Sequence, residues 1–307
     1  MNIIRNATEV APYLGGLNEC FGLWGADREW DWTFRRDCGA GLASRLAATD
    51  EHGSWIAGSA VSWRLSAAFG KIGIMTGSWT LPEARGSGCF SIFIRESAAL
   101  VQSNDGGALL SFVTAANASR RRLEASGAEM IDTVYARSSE ERSDLAAARL
   151  TAQPLTNDIV LSLWQMHARQ TGTGNGFSYP DPEQFAGQFL RRPNPTGIYR
   201  DEDTDSLVIM EHASDTDRLL FAGGEHHDPR EQPEAWSGWA AWAKGRDRKF
   251  FGFAIHPSHR AALRQTALEQ IPGFLCVSGL APDPKTDPGP APQALRGDWT
   301  LQSGDRM

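Results

Sequence analysis

A glycine-rich loop between a strand pattern and a helix pattern is the feature that most constrains how this chain can fold. Residues 71–80, KIGIMTGSWT, predict a strand, and residues 90–104, FSIFIRESAALVQSN, carry apolar side chains at helical spacing. Arg85-Gly86-Ser87-Gly88 lies between them. Glycines leave backbone N–H groups unobstructed and a helix N-terminus favours negative charge, so the loop could bind phosphate. It could equally be a plain turn, because glycine adopts turn conformations without strain.

Two other phosphate-binding motifs are excluded. The chain contains no G-x-x-x-x-G-K-[ST] sequence, and no G-x-G-x-x-G sequence opening a βαβ unit with an acidic residue further on. If the loop binds phosphate, it does so within a different fold.

Strand and helix patterns alternate on both sides of the loop. Before it we expect strands over 2–7, 42–50 and 54–63, and a helix over 8–24 with Thr8 as N-cap. After it we expect a buried strand over 108–115, a helix over 118–127 and a strand over 128–136. The order predicts an α/β protein, of the α+β kind with a mixed sheet.

The second half repeats the first in outline. LLSFVTAANASRRRLEASGAEM at 109–130 has a counterpart in FFGFAIHPSHRAALRQTALEQI at 250–271, and FRR at 34–36 has one in LRR at 190–192. The offset falls from 156 (190 − 34) to 141 (250 − 109), and we place the missing residues at the glycine loop. A duplication with one degenerate copy explains this pattern, with chance similarity as the alternative.

Three further segments separate or close these halves. Residues 138–153 are polar and lead into Pro154, so they predict a linker. Residues 280–297 hold five prolines, a density that excludes a helix or a central strand and predicts an extended loop. DWTLQS at 298–303 predicts a short closing strand.

Composition narrows the class of protein. A net charge of −7 opposes binding to nucleic acid and to anionic membranes, and no run of eighteen apolar residues occurs. The four cysteines are far apart and lack zinc-site spacing, so we expect no disulfide framework and no metal. These features favour a soluble, cytoplasmic protein.

Two stretches, TLPEARGSGCFSIFI at 80–94 and residues 109–128, resemble the acetyl-CoA-binding core of the GNAT superfamily of N-acyltransferases. In that superfamily a loop of pattern R/Q-x-x-G-x-G/A grips the coenzyme A pyrophosphate, and residues 85–88 match its first four positions. The resemblance implies that the strand before the loop contacts the pantetheine and the thioester, and that Asn117 and Ser119 lie near the pantetheine arm. The implied cofactor set is Ser78, Trp79, Thr80, Arg85, Gly86, Ser87, Gly88, Cys89, Phe90, Asn117, Ser119 and Arg122.

Departures from the family pattern concern catalysis more than binding. Phe90 replaces the last small residue of the loop, and Asn117 comes one position late. Leu123 stands where the family often has a tyrosine acid, and residues 71–80 contain no carboxylate that could act as base. Arg122 and its two arginine neighbours could contact the adenosine 3′-phosphate, or form a solvated helix face.

The catalytic residues are unknown from sequence, with three weak candidates. Glu225 and His226 follow an apolar strand and could supply a base, although a solvated loop is the favoured explanation. Asp31, in REWDWTF at 28–34, could border the acceptor site, while core packing of a tryptophan is equally compatible. His167 is expected to be a structural histidine.

The sequence therefore predicts two tandem GNAT-like domains. Residues 1–137 form the acetyl-CoA-binding domain, 138–153 the linker, and 154–307 a degenerate domain for acceptor binding or for a homodimer. The implied activity is acetyl transfer to an amine of a small molecule, a natural product or antibiotic, or a peptide. A non-catalytic coenzyme A-binding protein, or transfer of a longer acyl chain past Trp79 and Phe90, are the alternatives.

Overall fold

One order of strands and helices occurs twice along the chain in the computed structural model, which describes residues 1–138, 146–172, 175–280 and 297–306. The first repeat consists of β1 (Asn2–Arg5), α1 (Val10–Phe21), α2 (Asp27–Phe34), β2 (Ser44–Thr49), β3 (Trp55–Ser66), β4 (Gly70–Thr80), α3 (Cys89–Ser103), β5 (Leu109–Thr114), α4 (Ser119–Ala125) and β6 (Glu129–Arg137).

The second repeat has the same sequence of elements. It consists of β7 (Leu150–Gln153), α5 (Asn157–Thr171), α6 (Pro182–Phe189), β8 (Thr196–Asp201), β9 (Ser206–Ala213), β10 (Thr216–Gly224), α7 (Pro233–Lys244), β11 (Lys249–Ala254), α8 (Pro257–Leu263) and β12 (Glu269–Ser278). The matching order supports the duplication inferred from the two similar segments.

The chain divides into two compact units whose limits do not coincide with the repeats. Unit 1 contains Met1–Ile131 and residues from Leu275, and unit 2 contains Asp132–Phe274 and Gly297–Arg306. Most of β6, the last strand of the first repeat, therefore belongs to unit 2, and residues 275–278 of β12 belong to unit 1.

Both units are built on a mixed sheet with one parallel step. In unit 1 the strands follow the order β1-β2-β3-β4-β5 and then β12, with antiparallel pairing up to β4 and parallel pairing of β4 with β5. In unit 2 the order is β7-β8-β9-β10-β11-β6, and only β10 with β11 is parallel among the registered pairs. The predicted mixed α/β fold is confirmed.

Aromatic side chains fill the core of unit 1 between α1, α2 and the sheet. The Tyr13 ring contacts Trp30, Phe34 and Trp79 edge to face, with ring centroids 5.5–5.8 Å apart. Trp79 lies against Gly16 of α1 and Gly58 of β3, where any side chain would collide with its ring. The high tryptophan content is thus used largely for packing.

Unit 2 is held together by a second core and by buried polar groups. Trp236 and Trp239 of α7 are fully buried against the sheet. Arg192 and Glu211 form a buried ion pair at 3.2 Å. His167 is also buried and lies 3.1 Å from an Asp305 carboxylate oxygen, as expected of a structural histidine.

Four expectations from the sequence either need correction or concern residues that the structure does not describe. Helix α1 begins at Val10 after Glu9, with no side-chain cap, so Thr8 is not its N-cap. Residues 298–303 form a single β-bridge at Trp299 and not a strand. The predicted linker ends in strand β7, while its residues 139–145 lie outside the described part, as do residues 281–296 of the proline-rich segment.

The connection that corresponds to the glycine loop has the same length in the second repeat, so no residues are missing from it. Eight residues, 81–88, join β4 to α3, and eight residues, 225–232, join β10 to α7. Each segment contains a short 3-10 turn, Pro82–Ala84 or Pro229–Glu231. Shorter strands and a shorter helix account for part of the reduced length: β3 has 12 residues where β9 has 8, and α3 has 15 where α7 has 12.

Candidate functional site

Strand β4 bulges just before it reaches the glycine loop. Trp79 lies opposite Gly58, but Thr76 lies opposite Ala60, so two residues of β4 face the single Ser59 of β3. Gly77, one of the two, has φ of 55°, in the left-handed region where other residues are strained. Such a bulge bends a strand and increases its twist.

Beyond its first half, β4 also parts from its parallel neighbour. The registered pairs between β4 and β5 are Gly73 with Leu109 and Ile74 with Leu110, and no later pair is found in the described part of the chain. Within the described residues, the backbone groups of residues 75–80 that do not pair with β3 therefore lie along an edge without a registered neighbouring strand. A polar chain could add hydrogen bonds to this opening.

The loop after β4 presents further unpaired donors at the end of the opening. Gly86 and Gly88 have φ of 88° and 85°, and a side chain on either would meet open space, so backbone conformation alone requires glycine there. Within the described residues, the N–H groups of Gly86, Gly88, Cys89 and Phe90 donate to no acceptor. Since α3 begins at Cys89, these donors lie at the positive end of a 15-residue helix.

Some side chains of the loop make contacts within the protein, and others are exposed to solvent. The Ser87 hydroxyl donates to the Ala84 carbonyl at 2.6 Å, which closes the turn. Cys89 is buried with its thiol 3.3 Å from the Met1 sulfur. Arg85 is exposed, and its guanidinium lies beside the Cys20 thiol at the start of the loop.

The remaining predicted cofactor residues differ in how exposed their side chains are and in what those side chains contact. Ser78 is half-buried and its hydroxyl lies 2.8 Å from that of Ser59, whereas the Trp79 side chain points into the core and is 3% exposed. The Asn117 side chain accepts hydrogen bonds from the backbone and hydroxyl of Ser119, and so shapes the turn before α4. Arg122 is exposed on α4. The strand and loop residues 78–90 form one continuous site, and Arg122 lies outside that segment, on α4.

The three weak catalytic candidates are all on the surface. Asp31 pairs with Arg35 at 2.9 Å and is 55% exposed. Glu225 and His226 are also exposed, and they belong to unit 2, in the segment that corresponds to the glycine loop.

Two features of the site were missed by sequence reasoning. The Tyr13 hydroxyl donates to the Gly77 carbonyl at 3.2 Å, so α1 helps to hold the bulge. The Cys20 thiol donates to the Thr80 carbonyl at 3.3 Å. Burial raises the pKa of this thiol, and the nearby Arg85 guanidinium acts against the rise. A glycine inside the strand pattern MTGSWT was the available signal for the bulge.

In unit 2, the segment 225–232 has a different chemistry. Asp228 accepts two side-chain hydrogen bonds from Arg230, at 2.9 and 2.6 Å, and lies 3.1 Å from His259 Nε2. Burial alone would raise the pKa of Asp228, but Arg230 and His259 outweigh it and hold that pKa well below its usual range. The Asp228 carboxylate is already paired with the Arg230 guanidinium, and glycine is absent from residues 225–232.

Known structures share this architecture at low sequence identity. A tandem GNAT protein from the clavulanic acid biosynthesis pathway matches with a TM-score of 0.60 and 11% identity, over 92% of this chain and 99% of that one. GCN5-related N-acetyltransferases from Kribbella flavida and Sphaerobacter thermophilus match with TM-scores of 0.56 and 0.54, at 14% and 12% identity. Each covers 91% of this chain, which in turn covers 72% and 96% of theirs.

No protein-family model and no curated protein matches the sequence. The fold is that of the GNAT N-acetyltransferases. More narrowly, it is the tandem form, in which the GNAT architecture occurs twice in one chain.

Among the described helices, none has both the length and the apolar character needed to cross a lipid bilayer.

Proposed function

We propose that the chain is an acetyl-CoA-dependent N-acetyltransferase whose donor site lies in unit 1. The observation that carries the proposal is the continuity of unpaired backbone donors from the open edge of β4 into the glycine loop. Polar groups along residues 75–80 fit the amide-containing pantetheine arm, and the N–H groups of Gly86, Gly88 and Cys89 fit the pyrophosphate. Arg85 adds a positive charge at the loop.

The chemistry required of the protein is modest. Acetyl-CoA supplies an acetyl thioester, which an amine attacks directly, so that a C–N bond forms, the C–S bond breaks and the amine loses a proton. The chain holds the two substrates together, and backbone N–H groups can stabilise negative charge on the carbonyl oxygen. An amine of low pKa needs little help from a base, so the lack of a carboxylate on β4 is compatible with turnover.

The acceptor is proposed to be an amine of a small molecule, a natural product or a short peptide. The architecture shared with a tandem GNAT protein of clavulanic acid biosynthesis supports including natural-product amines in any panel. A longer acyl chain would have to be accommodated by Phe90 but not by the Trp79 ring, which is enclosed by Gly16 and Gly58 in the core of unit 1.

A non-catalytic coenzyme A-binding protein is the second candidate. Leu123, which stands where the family often has a tyrosine acid, is 1% exposed and packs in the core of unit 1. No acid from this helix position therefore reaches the donor site, which favours binding without turnover.

Acetyl-CoA binding and thiol release across a panel of amines separate these functions. Acetyl-CoA should raise the unfolding temperature, and at least one amine should release free thiol. The Arg85→Ala and Gly88→Asp variants should each bind at least about tenfold more weakly, since a hydrogen bond to a charged group contributes about 1.5–3 kcal/mol.

Matched controls are available for both variants. Gly53→Asp has the same left-handed backbone, with φ of 83°, in an exposed turn, and Arg200→Ala removes an exposed arginine of unit 2. Both should bind acetyl-CoA normally. Binding unaffected by the loop variants would refute the donor site, whereas binding without turnover on any amine would favour the second candidate.

A further inference from the structure

Three potential metal ligands converge in unit 2 next to the segment 225–232. Glu231 ends the 3-10 turn of that segment, His256 precedes α8, and His259 lies in the first turn of α8. One ligand atom from each of the three lies within 4.8 Å of the others. A tetrahedral site with bonds near 2.1 Å separates its ligand atoms by roughly 3.4 Å, so small side-chain rotations would close the set.

His259 supplies the clearest sign of a ligand. Its Nε2 lies 3.1 Å from the Asp228 carboxylate, which fixes the proton on Nε2 and leaves a lone pair on Nδ1. The side chain is 2% exposed, and Nδ1 has no hydrogen-bond partner within the described residues. A buried acceptor without a partner is costly, and carboxylate–histidine pairs of this kind commonly orient metal ligands.

Ser258 sets the protonation and orientation of the other two groups. Its hydroxyl donates to Glu231 Oε1 at 2.8 Å and lies 2.7 Å from His256 Nδ1. Because the hydroxyl proton is used on Glu231, the serine oxygen must accept from His256 Nδ1–H. The second carboxylate oxygen of Glu231 and Nε2 of His256 are then left with lone pairs available.

We propose that Glu231, His256 and His259 bind one Zn²⁺ ion. Two imidazoles and one carboxylate form a donor set that zinc uses with a fourth position open. Exposure of Glu231 and partial exposure of His256 leave room for water at that position. The ion would join the segment 225–232 to α8. This site is independent of the donor site proposed for unit 1, and Glu231 is too far from the two histidines in sequence for spacing to reveal it.

Titration calorimetry with Zn²⁺ on the full-length, chelator-treated protein tests the site. We expect one tight site per chain, and Co²⁺ in its place should give the visible absorption of a low-coordinate complex. His256→Asn and Glu231→Gln should each weaken Zn²⁺ binding at least about tenfold, and Ser258→Ala, which removes the positioning hydroxyl, by about 10–100-fold. His259 is left intact because its replacement in the core could unfold unit 2.

His226→Asn is the matched control. His226 lies in the same segment and is 87% exposed, so it reports zinc captured by surface histidines. It should bind zinc as the unmodified protein does. Binding weaker than about 100 μM, binding unchanged by His256→Asn or Glu231→Gln in a folded variant, or binding lost in His226→Asn would each overturn the proposal.

Discussion

The Gly77→Ala substitution tests whether the bulge in β4 shapes the donor site. Gly77 has φ of 55° and lies in the pair of residues that faces Ser59 alone. Alanine at this position must either keep a left-handed backbone or relieve the strain by flattening the bulge. If the bulge flattens, residues 75–80 move and the open edge of β4 changes.

The expected destabilisation follows from the local geometry. A left-handed non-glycine residue costs about 1–2 kcal/mol, and restriction of the unfolded chain returns about 0.4–1 kcal/mol. The added methyl group would lie 3.0 Å from Phe34 Cζ, a tight contact that adds to the cost. We expect a net loss of about 1 kcal/mol in the free energy of unfolding. Strain of that size, if released in the free protein and restored on binding, weakens acetyl-CoA binding by roughly fivefold.

Urea unfolding and acetyl-CoA titration measure the two effects separately. The matched control is Gly53→Ala, which has φ of 83° in an exposed turn with no atom near the added methyl group. Both variants should lose stability, but only Gly77→Ala should lose affinity. If Gly77→Ala binds acetyl-CoA within about twofold of Gly53→Ala, the bulge does not shape the site and the reasoning is refuted.

Two further predictions concern buried side chains. Glu211→Gln should destabilise unit 2 by about 3–5 kcal/mol, because Arg192 keeps its charge in the core without a carboxylate partner. Burial would raise the pKa of Glu211, but its arginine and asparagine partners lower that pKa below the usual 4.5. The ionised Glu211 therefore adds to the free energy of unfolding above about pH 4.5, and this stabilisation is lost as the pH falls through the lowered pKa. Urea unfolding over about pH 3–6 should show this acid dependence in the unmodified protein and a weaker one in the variant. Leu123→Tyr should lose about 1–3 kcal/mol of stability from overpacking and gain no turnover, since position 123 faces the core; increased thiol release would contradict this.

Local patterns predicted most elements of the first repeat, because each depends on neighbouring residues. The glycine loop was visible in sequence since two glycines, a preceding strand and a following helix lie within thirty positions. The closing strand at 298–303 was predicted wrongly, because its apolar residues are buried by packing and by a single bridge instead of a ladder.

Features that depend on contacts between residues far apart in the chain could not be predicted from the sequence. The segment 225–232 shows no similarity to the glycine loop, so its equal length became evident only from the positions of β10 and α7. Likewise, Glu231 and His256 come together through the fold, and no local sequence pattern signals their proximity. The Gly77 bulge was the intermediate case, since the glycine was visible but its partner Tyr13 was not.

The division of the last strands between the units has a consequence for synthesis of the chain. Residues 275–278 belong to unit 1, so that unit lacks part of its sheet until residue 278 has left the ribosome. Folding of an N-terminal domain ahead of the rest, the usual order during translation, can therefore reach only an incomplete form here. A gene fragment that stops at residue 137 should yield a protein with an exposed strand edge, prone to aggregate, and the second half would have to be supplied with it.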